Sequence, residues 1–239
     1  MFTFFHSSIF ATLLGALINA AAIIIGACLG LFFSKKIHPK LLHRLQEAMG
    51  LSIFFIGMKM CFEFKNALIL ISSLGLGLIL GELLDVQKHS DNLSLMLEKI
   101  LGPRFQGKFA QGFSHSSILF CTGAMGIVGS IESGIHLNHE ILLSKSLIDG
   151  LLSIGLASGM GLGVAFSSVT IFIYEGVLSL FSSHVQLLSQ AHIISEISGV
   201  GGALVAMIGI ELAHIKKIGV ANYLPALFVV VILSLLIQH

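Results

Sequence analysis

Lys145 and Asp149 are the two ionisable residues whose spacing points most directly to chemistry. They lie four residues apart in the apolar stretch 141–160, so a helix places both on one face and within pairing distance. Ser146 adds a hydroxyl oxygen next to the pair. A charge in the middle of a bilayer costs about 2.5–3.5 kcal/mol on insertion scales. The pair is therefore either a structural ion bridge that neutralises itself or part of a site for an ion or a substrate.

Glu175 and Asn19 are the next candidates for such a site. Glu175 lies near the middle of a second apolar stretch, and Asn19 lies inside the first one. Asp149 lies roughly a third of the way into its own stretch, so the carboxylates of Asp149 and Glu175 could share one cavity. Carboxylates near amide, hydroxyl and backbone oxygens suit a hard cation such as sodium, or a proton relay. The alternative for Asn19 is a hydrogen bond between helices, worth about 0.6 kcal/mol.

Two further polar residues have simpler interpretations. Glu211 is predicted to form a salt bridge at the membrane boundary with the basic residues that follow it, which are His214, Lys216 and Lys217. His115 is predicted to bond a neighbouring carbonyl or to relay protons.

Eight hydrophobic stretches carry these residues, and each is long enough, or nearly so, to cross a bilayer core of about 20 helical residues. They span residues 9–33, 46–62, 67–84, 112–131, 141–160, 164–182, 197–214 and 223–237. Charged residues make up 10% of the chain, against about 25% in soluble domains. The sequence thus predicts an all-α fold, a polytopic transmembrane helical bundle of about eight spans. Residues 1–239 are expected to form one transmembrane domain.

Positive charge is concentrated in alternate gaps between these stretches. Of the 13 Lys and Arg residues, four lie in the first gap, four in the third and two in the seventh. These gaps share one face of the membrane, and the positive-inside rule assigns that face to the cytoplasm. Both termini are then predicted to lie outside.

The longest gap, residues 85–111, contains an amphipathic pattern that fits a short helix at the cytoplasmic interface. Its apolar residues at helical spacing are Leu93, Leu97, Ile100 and Leu101. The functional alternative for this segment is a gate or a helix that docks a partner.

A weak internal repeat relates the two ends of the chain. Residues 45–60 resemble residues 197–212 at an offset of 152, which aligns Gly50 with Gly202. Spans one to three then match spans six to eight, and the two copies enter the membrane in opposite directions. Inverted repeats of this kind build many secondary transporters, with the binding site near the midplane.

Several function classes lack their sequence signatures. There is no P-loop, no H-E-x-x-H and no G-x-S-x-G, so an enzyme is not expected. Cys28, Cys61 and Cys121 form no C-x-x-C pair and are interpreted as small apolar filler, so no metal or cofactor is predicted. A net charge of +1 without a basic stripe argues against nucleic acid as a partner.

Five sequence blocks carry a family resemblance that covers nearly the whole chain. They are LFCTGAM at 119–125 with Gly129, Ser130 and Glu132, GALIN at 15–19, Gly81-Glu82, Lys145 to Asp149, and a C-terminal block that includes Asn222. These blocks resemble a family of uncharacterised bacterial inner-membrane proteins that includes YqgA and YdfK. The resemblance implies location in the bacterial inner (cytoplasmic) membrane and an unknown activity. It favours Asn19, Glu132, Lys145, Asp149 and Asn222 as site residues.

Two functions from different classes follow from these observations. The first is an ion-coupled secondary transporter of a small solute or ion, driven by sodium or protons, with a cavity lined by spans one, four, five and six. The second is a non-transporting scaffold or accessory subunit. It would bind a protein or lipid partner through its glycine-rich faces and the segment 85–111. The lipid bilayer is a partner in both cases, and a homo-oligomer is compatible with either.

Overall fold

The computed structural model describes residues 2–34, 39–89, 92, 96 and 109–237, and within these ranges the chain is helical without any strand. Ten α-helices are described: α1 (Phe2–Ser34), α2 (Pro39–Cys61), α3 (Ala67–Leu83), α4 (Phe109–Cys121), α5 (Ala124–His136), α6 (Glu140–Met160), α7 (Gly163–Leu180), α8 (Ser182–Val185), α9 (Ala191–Leu212) and α10 (Ala226–Leu236). Two 3₁₀ turns, Gln186–Ser189 and Val220–Tyr223, precede α9 and α10. Most of the amphipathic helix predicted within 85–111 lies outside the described residues.

Four of these helices are long and apolar enough to cross a bilayer: α1 from Ile9, α6, α7 and α9. Taken together, α4 and α5 pass the same test as a fifth span. The helix α3 and the segment Val220–Leu236 are apolar but shorter. In α2, Lys40, Arg44, Glu47 and Lys59 interrupt the apolar sequence. The all-α architecture is thus confirmed. Of the eight predicted spans, only these four or five are long and apolar enough to cross a bilayer.

The fourth predicted stretch differs from a straight helix. The axis bends by 63° between α4 and α5, and Gly123 at the junction has extended backbone angles of φ −78° and ψ 137°. Glycine is a weak helix former, which lowers the cost of a break at this residue. A separate helix, α5, begins after the bend, inside the bundle.

Glycines allow the closest helix contacts. A methyl carbon placed on Gly50 of α2 would lie 2.8 Å from the carbonyl oxygen of Gly209 on α9. A methyl carbon placed on Gly57 would lie 2.7 Å from the carbonyl oxygen of Gly202, also on α9. The two helices therefore run antiparallel with their backbones in contact, as small residues permit in lipid.

The core of the bundle lies around α9, whose apolar residues are mostly buried inside the molecule. The largest cluster joins Ile23, Ile53, Leu156 and Leu204 from four different helices. Large apolar side chains on the outer faces are exposed, as expected of a surface that faces lipid. Among them are Leu68, Leu147, Ile173 and Phe228.

Candidate functional site

Four of the predicted site residues meet where α1, α6 and α7 pack together. Lys145 Nζ pairs with Asp149 Oδ2 on α6 and lies 3.4 Å from Glu175 Oε1 on α7. Asn19 Nδ2 on α1 donates to Asp149 Oδ2 at 3.1 Å and to Glu175 Oε1 at 2.8 Å. All four side chains are buried, with at most 5% of the residue surface exposed. We refer to Asn19, Lys145, Asp149 and Glu175 as the ion cluster.

Local sequence explains how the helices reach this arrangement. Lys145 and Asp149 are one helical turn apart, which aligns their side chains. Gly26 allows α1 to pack closely on α6, because any side chain at this position would collide with the backbone of Gly150. Asn19, two turns before Gly26 on α1, then reaches both carboxylates.

The break in the fourth stretch places the start of α5 beside the ion cluster. A methyl carbon on Gly126, in the first turn of α5, would lie 3.4 Å from Lys145 Cε and 4.0 Å from Glu175 Oε1. Glycine at this position leaves room for the lysine side chain. The positive end of the α5 dipole also favours the nearby carboxylates.

The charges of the ion cluster do not balance when all its groups are ionised. One ammonium faces two carboxylates, which leaves one net negative charge among buried residues. Glu175 Oε2 and Asn19 Oδ1 have no hydrogen-bond partner among the described residues. Buried charges without compensation are costly, so the cluster has the electrostatics of a site that takes up a cation or a proton.

The other three predicted site residues, Ser146, Glu132 and Asn222, have hydrogen-bond partners outside the ion cluster. The Ser146 hydroxyl donates to Leu143 O on its own helix at 2.7 Å, as hydroxyls in membrane helices commonly do. Glu132 bonds His136 at 2.9 Å, near the exposed end of α5. Neither side chain is bonded to the ion cluster.

Asn222 joins two of the family blocks instead. Its Nδ2 donates to Glu82 Oε1 at 2.7 Å, and its Oδ1 accepts from the backbone N–H of Gln87 at 2.7 Å. These bonds hold the segment before α10 against the end of α3. Asn222 thus serves the packing of α3 in this structure, and its role as a site residue stays a prediction.

A second pair joins the buried His115 of α4 to the partly buried Glu211 of α9. His115 Nε2 lies 2.7 Å from Glu211 Oε2, and Glu211 Oε1 accepts from the N–H groups of Ile218 and Gly219. The salt bridge predicted between Glu211 and the basic residues after it was wrong, because the carboxylate turns inward to the backbone. No spacing signal relates two residues that are 96 positions apart in the chain.

This pair forms part of the wall of a cavity of about 730 Å³. Its polar lining includes Gln87, Gln111, His115, Glu211, Lys216 and Lys217. The cavity lies between the third and seventh gaps, which are predicted to share the cytoplasmic face.

Across the part of the chain that the structure describes, no group of three or more His, Cys, Asp or Glu residues could hold a metal ion. The ion cluster offers the oxygens of two carboxylates and an amide. Such oxygen donors suit sodium or a proton rather than a transition metal.

Comparison with known proteins gives relatives along nearly the full chain. The family described as "Protein of unknown function (DUF554)" matches residues 14–235. "Uncharacterized membrane protein YdfK" of Bacillus subtilis (strain 168) is 31% identical over 219 residues, covering 90% of this chain and 93% of the relative. "Uncharacterized protein YqgA" of Escherichia coli (strain K12) is 25% identical over 226 residues, covering 92% and 96%. No solved structure matches.

Proposed function

Because the chain belongs to the DUF554 family of membrane proteins, whose description gives no activity, we propose from its own geometry that it is an ion-coupled secondary transporter of a small solute or ion. The family predicted from the sequence blocks is thereby confirmed. The name of the relative YdfK and the apolar helices agree that the chain is a membrane protein.

The ion cluster is the observation that carries this proposal. A structural bridge needs only Lys145 and Asp149, which neutralise each other on α6. Glu175 adds a second carboxylate within helices that can span a bilayer, where its charge is expensive. A carrier needs a buried site of this kind, which gains a cation on one side of the membrane and loses it on the other. A scaffold or accessory subunit, the second candidate, has no use for the additional acid.

Helix packing supports the inverted-repeat part of the proposal. The predicted offset of 152 residues converts Gly50 into Gly202 and Gly57 into Gly209. In the structure, Gly50 contacts Gly209 and Gly57 contacts Gly202, so the offset exchanges these two contacts with each other. A two-fold axis between α2 and α9 produces this pattern. The other proposed repeat pairs, α1 with α7 and α3 with α10, are also in contact.

Contacts between the gaps support eight crossings. Glu196, the last residue of the sixth predicted gap, accepts hydrogen bonds from the backbone N–H groups of Lys65 and Asn66 in the second gap. Asn222, the last residue of the seventh gap, accepts a hydrogen bond from the backbone N–H of Gln87 in the third. Even gaps therefore meet even gaps, and odd gaps meet odd gaps, as eight spans require. With the positive-inside rule, this favours a bacterial inner-membrane location with both termini outside.

Proteoliposomes test the transport proposal directly. Full-length protein is adsorbed on a solid support, and charge displacement is recorded after concentration jumps of sodium and of protons, together with a pH dye inside the vesicles. We expect a response of the wild type that is lost in Glu175→Gln, which removes the additional acid and leaves the Lys145–Asp149 bridge neutral. A folded wild type without any charge or pH response would contradict transport and favour the scaffold.

A further inference from the structure

We infer that the ion cluster, extended by Ser130 and Ser179, binds one monovalent hard cation of the sodium type. The cation lies on the side of Glu175 that faces away from Lys145. This inference rests on the site of the proposed function, but it does not depend on transport itself. We refer to Asn19, Glu175, Ser130 and Ser179 as the cation site.

Four buried oxygens without a partner carry the inference. Glu175 Oε2, Asn19 Oδ1, Ser130 Oγ and Ser179 Oγ find no hydrogen-bond partner in the described ranges. Their residues are at most 1% exposed. A buried polar atom without a partner costs about 1–3 kcal/mol, so four of them on the three helices that meet at Glu175 demand an explanation.

Helix register places the residues that carry these oxygens near Glu175. Ser179 lies one turn after Glu175 on α7, and therefore on the same helix face. Ser130 lies one turn after Gly126 on α5, the residue whose added side chain would touch Lys145 and Glu175. Asn19 is bonded to Glu175 directly.

The number of oxygens favours a metal cation over a proton. A proton on Glu175 turns that oxygen into a donor to one further acceptor, and at least two of the four oxygens stay without a partner. A hard cation binds several carboxylate, amide and hydroxyl oxygens at once, and membrane carriers commonly complete such a shell with backbone carbonyls.

The charge of the cluster selects a monovalent ion. Asp149 and Glu175 carry two negative charges against the one positive charge of Lys145. One monovalent cation makes the buried group neutral, whereas a divalent cation would leave it positive. Lys145 Nζ lies 3.4 Å from Oε1 of Glu175, and Oε2 has no hydrogen-bond partner among the described residues, so Oε2 remains available to a cation.

Sodium-dependent stability in detergent tests the inference on the full-length protein. The melting temperature is measured during titration with NaCl, against choline chloride at constant ionic strength, at acidic, neutral and alkaline pH. We expect a saturable rise in sodium that choline does not give. A melting temperature that depends on pH but is equal in NaCl and choline chloride at every pH would overturn the cation site in favour of a proton.

Variants that remove single oxygens locate the binding site. Ser130→Ala and Ser179→Ala keep the charge unchanged, and each should raise the sodium midpoint about three- to tenfold, the effect of losing one oxygen contact. Ser52→Ala, which removes an exposed hydroxyl on α2, is the matched control and should leave the midpoint unchanged. Unchanged midpoints in both buried-serine variants would refute the assigned location.

Removal of the acid completes the series. Glu175→Gln should abolish the sodium response, while Glu140→Gln, at an exposed acid in the first turn of α6, should retain it. If Glu175→Gln does not fold, the serine variants still decide. Sodium binding without any response in proteoliposomes would contradict transport and leave the cation site standing. Proton-driven charge movement without sodium binding would do the reverse.

Discussion

Asn19 Nδ2 lies 2.8 Å from Glu175 Oε1, across the contact between α1 and α7. The same amide nitrogen donates to Asp149, so one side chain fixes the positions of both acids. An amide can do this in the absence of water because it carries two N–H donors. The ion cluster is thereby built by three helices, and is not a local pair on α6.

Removal of this amide should weaken the fold. Asn19→Ala deletes two hydrogen bonds to charged groups, and we expect a loss of about 1–3 kcal/mol of unfolding free energy. Unfolding in mixed micelles measures it, with Asn138→Ala as the control, because Asn138 bonds only an exposed backbone N–H. A loss no larger than that of Asn138→Ala would show that Asn19 does not support the cluster.

The net charge of the ion cluster predicts which variants are stable. Lys145→Met leaves two buried carboxylates facing each other and should cost about 3–5 kcal/mol, as for other broken buried pairs. Lys145→Met with Glu175→Gln retains one acid instead of two and should recover part of this loss. The recovery is measured as the coupling energy of a double-mutant cycle. Additive losses would mean that Lys145 does not interact with Glu175.

Part of this site could be predicted from sequence alone. Lys145 and Asp149 are visible because a spacing of four residues determines their contact on any helix. Asn19 and Glu175 are visible as polar residues in apolar stretches, but their meeting depends on how α1 packs against α6 and α7. The glycine contacts that set this packing are tertiary, and no periodicity in the sequence encodes them.

Other features were beyond the sequence for related reasons. The bond between His115 and Glu211 joins two helices whose order in space has no local signature. The position of α5 beside the ion cluster depends on a single break at Gly123. A hydropathy average over the whole stretch does not detect a break at one residue. Eight apolar stretches were visible, whereas α2 and α3 are too charged or too short to qualify as spans by composition.

Glu211 should matter for the segment that follows α9. Glu211→Ala removes the acceptor of two backbone N–H groups and leaves His115 without its partner. We expect a loss of about 2–4 kcal/mol and faster amide hydrogen exchange at Ile218 and Gly219. Glu211→Gln retains an acceptor oxygen and should lose less. Unchanged exchange in Glu211→Ala would contradict the anchoring role.

The glycine contacts predict a strong position dependence of a single methyl group. Gly57→Ala forces a side chain into the backbone of α9 and should destabilise the protein by about 1–3 kcal/mol. Gly75→Ala, on α3, meets nothing within 4 Å and should be neutral or stabilise by up to about 1 kcal/mol. Equal effects of the two substitutions would mean that α2 and α9 do not pack through Gly57.

The proposed topology predicts opposite accessibility for two exposed positions. In a background without the three native cysteines, Glu63→Cys lies in the second gap and Lys217→Cys in the seventh. Five proposed crossings separate them, so they belong to opposite faces of the membrane. An impermeant maleimide should label Glu63→Cys on intact spheroplasts and Lys217→Cys only after permeabilisation. Labelling of both from outside would refute the odd number of crossings between them, and the inverse pattern would reverse the orientation assigned by the positive-inside rule.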